Sequence, residues 1–260
     1  MGYEYIRVAK DDHLTIVTLN RPEVLNALHG PAHWELHKVF DEFEKDDQQW
    51  VAIVTGAGDR AFCAGNDLKY HAAKGQPDQP PPSGFAGLSS RFGMTKPVIA
   101  AVNGLAMGGG FETALACDLI IASENAGFAL PEPRVGLIAL AGGLLRLPRA
   151  IGMKRAMGLA LTARKVSAKE GLEYGFVNEV VPEGQVLEAA KKWAEDICKL
   201  SPLAVRAAKQ VMQQGTDMPL DRAMSLQWGC PAVRTARASS DAIEGPRAFA
   251  EKRQPVWQGK

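Results

Sequence analysis

Apolar positions along this chain fall into short unbroken runs in its first two thirds and into helical stripes in its last third. Through residues 5–19, Leu14, Ile16 and Thr18 alternate with Thr15, Val17 and Leu19 well enough to predict a hairpin pair of strands entering a core. The runs at 50–58 (WVAIVTGAG) and 97–102 (PVIAAV) are too short for a typical helix and are bounded by turn residues, so both predict buried strands. Pro31 is placed to open a helix whose apolar stripe is Leu36, Val39, Phe40 and Phe43. Beyond Arg146, LPRAIGMKRAMGLALT predicts a helix broken at Gly152. Ser167 and Glu170 fit a capping box that opens a short helix ending near Gly175. Helical patterns then follow at 187–199, 203–212, 220–228 and 240–253.

The densest chemistry lies between residues 96 and 146. The strand at 97–102 leads through Asn103-Gly104 to three consecutive glycines, Gly108 to Gly110, and then to the helical composition FETALACD. Glycines just before a helix let backbone N–H groups approach a ligand where the helix dipole is positive, which favours an anion or a developing oxyanion. A lone Gly-Gly-Gly is more often an ordinary strand-to-helix turn, so its neighbours must decide. Glu112 falls in the first turn of that helix among apolar residues, where it either complements the dipole or does chemistry. Glu132 stands between Pro131 and Pro133 in FALPEP, a segment with no helix or strand pattern of its own. Two glutamates in apolar, glycine-rich surroundings would be tuned by burial and by each other into a general acid and a general base. Upstream, Ala64-Gly65 at a second strand exit offers a further exposed N–H, that of Asn66. Two such donors make an oxyanion hole.

Composition narrows the field. At 260 residues with 46% hydrophobic side chains the chain can bury a large core, and 30 basic against 29 acidic residues without a like-charged run exclude nucleic acid and a membrane surface as favoured partners. The start lacks an apolar signal core and no later run is long enough for a membrane span, so a cytoplasmic protein is expected. Cys63, Cys117, Cys198 and Cys230 have no metal-ligand spacing and are expected to be free thiols. Cys63 beside the second glycine turn invites a nucleophile reading, but no histidine pattern accompanies it. His29, His33 and His37 recur every four residues. Without a carboxylate in HExxH register, histidines of a packed or solvated helix outweigh a metal site, and no metal is expected. The segment 74–84, KGQPDQPPPSG, predicts a surface loop that would act as a lid over the glycine turn beside it.

Taken together and in order, NRPEVLNAL, AFCAGNDL, KPVIAAVNG, GGGFE, ACD, PE, AGG and SAKEGLEYGFVNEVVP resemble the crotonase, or enoyl-CoA hydratase/isomerase, superfamily over nearly the whole chain. The tail and the GFAGL segment look most like its carnitinyl-CoA dehydratase branch. The resemblance implies an α/β fold: a spiral of ββα turns over residues 1–198 forming the catalytic core, with C-terminal helices over 199–260 carrying the contacts of a homotrimer or homohexamer. It implies an acyl-CoA thioester as substrate and no cofactor, coenzyme A being part of that substrate. It further implies that Glu112 and Glu132 handle the water and the proton, and that Asn66 and Gly109 hold the thioester oxygen through their N–H groups. Arg21, Ala27, Ala64, Gly65, Asp67, Leu68 and Gly108 would line the substrate cleft. Phe249 and Lys252, with Arg253, would approach it from the tail.

One departure stands out. Where typical hydratases carry Gly or Asp ahead of the AGG-type glycines, this chain has Ala139-Leu140, and Leu140 suggests an aliphatic or branched acyl group. The expected activity is therefore reversible hydration of a 2-enoyl-CoA. A carnitinyl-CoA-type dehydratase, a Δ3,Δ2-enoyl-CoA isomerase and a non-catalytic acyl-CoA-binding member are the alternatives. Possession of both glutamates argues against the last two.

Overall fold

Between residues 51 and 129 three successive pairs of strands each give one strand to each of two sheets before the chain turns into a helix, and that repeat organises the molecule. The computed structural model describes residues 2–74 and 79–260. In chain order the elements begin β1 (Ile6–Asp11), β2 (Leu14–Leu19), α1 (Gly30–Lys45), β3 (Val51–Gly56), β4 (Ala61–Cys63) and α2 (Leu68–Lys74). They continue with β5 (Val98–Val102), β6 (Leu105–Met107), α3 (Gly109–Ala116), β7 (Leu119–Ser123), β8 (Gly127–Ala129), α4 (Gly143–Ile151), α5 (Met153–Thr162), β9 (Val166–Ser167), α6 (Ala168–Tyr174) and β10 (Glu179–Val181). Then come α7 (Val186–Cys198), α8 (Pro202–Gly215), α9 (Leu220–Leu226), α10 (Pro231–Ala238) and α11 (Asp241–Ala250). The large sheet runs β1-β2-β3-β5-β7-β10 and the small one β4-β6-β8-β9. The units β3-β4-α2 and β5-β6-α3 are thus successive ββα turns, and β7-β8 begins the next.

The expected hairpin is present, β1 and β2 pairing antiparallel from Ile6 with Leu19 to Asp11 with Leu14. The next three strands of the large sheet, β3, β5 and β7, add in parallel. β3 and β5 read as unbroken apolar runs because both faces of the sheet are covered. Ala52, Val54, Ala100 and Val102 face the main core with α1, whereas Val51, Ile53, Ile99 and Ala101 meet Val186, Ala190 and Ala194 of α7.

The break at Gly152 separates α4 from α5, with Gly152 at φ +80°. The capping box is present: Glu170 N–H donates to Ser167 Oγ at 3.2 Å, and Ser167 N–H to Glu170 Oε2 at 3.0 Å. The segment read as patternless, FALPEP, instead carries β8 and a 3-10 turn over Glu132–Val135. A strand of three residues is too short to show alternation. The last helices are tied to the body by Lys209, whose Nζ donates to the Lys96 carbonyl at 2.8 Å and pairs with Asp118 at 2.6 Å. No described helix is long and apolar enough to cross a membrane.

His29 caps α1 between the rings of Tyr5 and Tyr70, at 4.4 and 4.8 Å between centroids, and His33 Nδ1 accepts the Ala86 N–H at 3.2 Å. These histidines serve packing and turn formation, and among the described residues no three His, Cys, Asp or Glu side chains are grouped to hold a metal. Of the expected lid, residues 75–78 lie outside the described residues.

Candidate active site

The glycine run ends a strand and starts a helix within one residue. Gly108 follows β6 at φ +54°, a left-handed conformation that disfavours other residues, and is the N-cap of α3; Glu112 N–H closes the first turn on the Gly108 carbonyl at 3.0 Å. Each glycine has a steric reason. A Cβ on Gly108 would stand 2.7 Å from Glu132 Oε1, one on Gly109 would overlap the Phe85 ring, and one on Gly110 would overlap the Cys63 carbonyl. Gly108 therefore brings Glu132 against the start of the helix that carries Glu112. The two carboxylates foreseen as a pair flank one turn of backbone.

Their surroundings differ. Glu112 is 3% exposed, and its Oε1 accepts the Gly143 N–H at 2.8 Å, from the first residue of α4. Burial pushes its carboxyl up to about 7; the neighbouring Glu132 adds to the rise, while the N–H groups of Gly143 and Ala141 and the Arg146 guanidinium act against it. Glu132 opens the 3-10 turn after β8. Burial also raises its pKa, and its Oε2 is buried without a hydrogen-bond partner among the described residues. A buried carboxyl oxygen left open is placed to exchange a proton with something bound beside it.

The second donor turn lies close by. Gly65 has φ +92°, and a Cβ there would sit 2.7 Å from the Met107 carbonyl and 3.2 Å from Gly109 N, so the turn at Ala64-Gly65-Asn66 abuts the one at Gly109. Among the described residues neither Asn66 N–H nor Gly109 N–H donates a backbone hydrogen bond. Their neighbours are held: Leu28 N–H donates to the Gly65 carbonyl and Asp67 N–H to the Leu28 carbonyl, both at 2.8 Å. Cys63 Sγ accepts the Gly65 N–H at 3.4 Å, and burial pushes its thiol up to about 12, which suits an acceptor in a turn and not a nucleophile.

Arg21 and Asp67, both expected in the substrate cleft, pair with each other at 2.9 Å, and Arg21 also donates to the Ala27 carbonyl at 2.5 Å. Burial works to raise the Asp67 pKa, yet the Tyr70 N–H and Arg21 outweigh it and hold it below the usual carboxylate range. This pair braces NRPEVLNAL against the Asn66 turn. Leu68 is half-exposed at the start of α2. Leu140, at 80% exposure, and Phe249, at 86%, are exposed, and Lys252 follows α11 at φ +53°. Among the described residues no hydrogen bond or ion pair joins any of these three to Glu112 or Glu132. Three participants were not foreseen: Gly143 as the donor to Glu112, Phe85 packed on Gly109, and Arg146. The AGG motif pointed at the first. Nothing local marked the other two.

The chain is similar to known proteins over nearly its whole length. A family model described as enoyl-CoA hydratase/isomerase matches residues 10–260. A carnitinyl-CoA dehydratase of Escherichia coli O157:H7 is 42% identical over 263 aligned positions, covering 99% of both proteins. Among solved structures, an enoyl-CoA hydratase of Mycobacterium tuberculosis H37Rv superposes with a TM-score of 0.92 at 39% identity, over 98% of this chain and 99% of that one. An enoyl-CoA hydratase of Bacillus anthracis gives 0.90 at 36% identity, over 99% and 100%.

Proposed function

The chain belongs to the enoyl-CoA hydratase/isomerase family, and from that premise we propose that it is a hydro-lyase adding water reversibly across the 2,3 double bond of a 2-enoyl-CoA. The observation that carries the reading is the placement of two pKa-raised carboxylates, one buried and one half-buried, at Gly108. The thioester carbonyl oxygen accepts from Asn66 N–H and Gly109 N–H, which draws electron density from C3. Each preorganised donor of this kind contributes about 10²- to 10³-fold in rate. Ionised Glu112 takes a proton from water as its oxygen bonds to C3; the π electrons move onto the thioester oxygen, and Glu132 delivers its proton to C2. One water is added, and the two carboxyls end with their protons exchanged. A proton passed back between these neighbours, or through solvent, resets the site. Dehydration is the same path reversed. Coenzyme A enters as part of the substrate, and no step draws on a separate cofactor.

A second reading, dehydration of a carnitinyl-CoA-like 3-hydroxyacyl thioester in the same site, is favoured by the relative of that name at 42% identity over 99% of its length. We place the enzyme in the cytoplasm as a homotrimer or a pair of trimers. The exposed apolar side chains of Leu140, Leu145 and Leu161, at 80%, 66% and 76%, favour partner protomers that cover them, and sedimentation equilibrium measures the assembly. In that assembly Leu140 and the tail residues Phe249 and Lys252 meet the acyl and CoA ends of the substrate.

The test follows loss of the conjugated-thioester absorbance with short, long, branched and trimethylammonium-bearing 2-enoyl-CoAs, with Glu112→Gln and Glu132→Gln beside the parent. Hydration by the parent and its loss in both variants is the expected result, and the ranking of substrates separates the two readings. A parent that leaves every conjugated thioester untouched overturns both.

A further inference from the structure

Arg146 is a half-buried cation that pairs with no carboxylate at ion-pair distance among the described residues, and burial lowers its pKa. Its backbone lies in the first turn of α4, three residues past Gly143, the donor to Glu112. Its guanidinium folds back over Gly142, filling the place a Cβ there would take, and its Nη2 reaches across to the Ser89 carbonyl at 2.8 Å. Ser89 in turn fixes Phe85: the Phe85 N–H donates to Ser89 Oγ at 2.8 Å, and the Ser89 N–H to the Phe85 carbonyl at 3.1 Å. The Phe85 ring packs on Gly109, one of the two oxyanion donors. On its far side the turn is anchored by Arg91, which donates to the Gly87 carbonyl at 2.9 Å and pairs with Asp41 at 2.6 Å.

Arg146 thus touches both halves of the site without touching either reacting group. We propose that Arg146 is a positioning residue, the strut that fixes the distance between the Gly143–Glu112 side and the Phe85–Gly109 side of the reaction centre. An exposed arginine would pair with any nearby carboxylate. This one gives its Nη2 to a carbonyl, and its guanidinium carbon lies 5.6 Å from the centroid of the Phe92 ring. The groups that face Glu112 are Glu132, the N–H groups of Gly143 and Ala141, and Arg146; the charge that acts on Arg146 is that of Glu112, since burial keeps the Cys117 thiol neutral.

The inference rests on the hydratase reading for its kinetic readout, and a second readout needs no turnover. In Arg146→Gln, kcat falls about 10- to 100-fold through loss of alignment, KM moves much less, and the Glu112 titration, followed by carbon NMR of labelled glutamate in the free enzyme, shifts to higher pH. Arg146→Lys retains the charge and restores the titration but not the rate, because an ammonium cannot reproduce the guanidinium fork. Combining Arg146→Gln with Phe85→Leu costs less than the product of the single effects, since both loosen the same turn. Multiplicative losses together with an unshifted Glu112 titration overturn the proposal. If Arg146→Gln does not fold, Arg146→Lys paired with Phe85→Leu gives the same cycle. A parent without hydratase activity whose Glu112 titration nevertheless follows Arg146 would sink the hydratase reading and leave the strut standing.

Discussion

Two regions meet at Gly108, and they are built oppositely. At the junction of α3 and α4, Glu112 is closed in: 3% exposed, held by the Gly143 N–H at 2.8 Å, and walled by a glycine whose Cβ would come within 2.9 Å of its Cγ. At the 3-10 turn after β8, Glu132 is only half-buried, yet one of its oxygens is buried with no hydrogen-bond partner among the described residues. A carboxylate held by fixed backbone donors is kept aimed, as a base that must meet a water requires. A carboxyl with an open oxygen can take and release a proton without breaking a bond of the fold. In the proposed mechanism the same residue type would supply two functions, divided by how completely the backbone satisfies it.

The largest effect should separate those two roles. In the dehydration direction Glu132 removes the C2 proton, so exchange of that proton into deuterium oxide from a saturated acyl-CoA needs Glu132 and the oxyanion donors but not Glu112. Glu132→Gln should lose this exchange by about 10³-fold, whereas Glu112→Gln should retain most of it, with proton NMR of the acyl chain as the measurement. Equal losses in the two variants would erase the division of labour.

Next come the glycines that set the geometry. Gly108→Ala puts a methyl 2.7 Å from Glu132 Oε1 at φ +54°, so the carboxyl must swing away; Gly143→Ala presses on Glu112 Cγ at 2.9 Å. Each should lower kcat about 10²-fold, the order expected for a displacement near 1 Å. Only the first should abolish C2 exchange. If Gly108→Ala spares exchange while Gly143→Ala removes it, the assignment of the two walls is reversed.

Stability gives a smaller but independent contrast. The Glu112 carboxyl titrates at 4.5 when unfolded and at about 7 when folded, so between those values the native state binds the extra proton. Its stabilising contribution is full below pH 4.5 and is lost as pH rises through about 7. The change amounts to about 3 kcal/mol over that window. Glu112→Gln carries no such charge and keeps an oxygen for the Gly143 N–H. Between pH 4.5 and pH 8 the parent should therefore lose more stability than this variant by up to that amount, measured by urea unfolding. A constant difference across the window would mean that Glu112 is not buried as a charge.

The halves of this comparison were unequally legible in the sequence. Gly108 to Gly110, Glu112 and Glu132 stand out because glycine and carboxylate are out of place in apolar runs, and β3 and β5 were plain because both faces are covered. The capping box at Ser167 was equally plain, being a contact over three residues. Gly143 donates across 31 positions and Arg146 across 57, and no periodicity reports such pairs. β4, β6 and β8, which carry the donor turns into place, are three residues each, below the length at which alternation registers. Leu140 was read as an acyl contact from its type, but whether an exposed leucine meets substrate depends on what covers it.

The smallest effect tests whether the two regions feel one another at all. The negative charge of Glu132 contributes to holding the Glu112 carboxyl at about 7. Since the base must be ionised, kcat/KM of the parent should rise about tenfold per pH unit below a limb near pH 7, and fall again at higher pH where Glu132 loses the proton it must deliver. Removing the second charge in Glu132→Gln should lower the Glu112 pKa, so the limb of the residual activity, or the Glu112 titration seen by carbon NMR, should move to lower pH by less than about one unit. The shift is opposite in sign to the one expected for Arg146→Gln, because one variant removes a repelling anion and the other an attracting cation. The two displacements would place Glu112 between those charges by solution measurement alone. A limb that stays near 7 in Glu132→Gln would mean that the carboxylates titrate independently, and Gly108 would then join two neighbours without making them a pair.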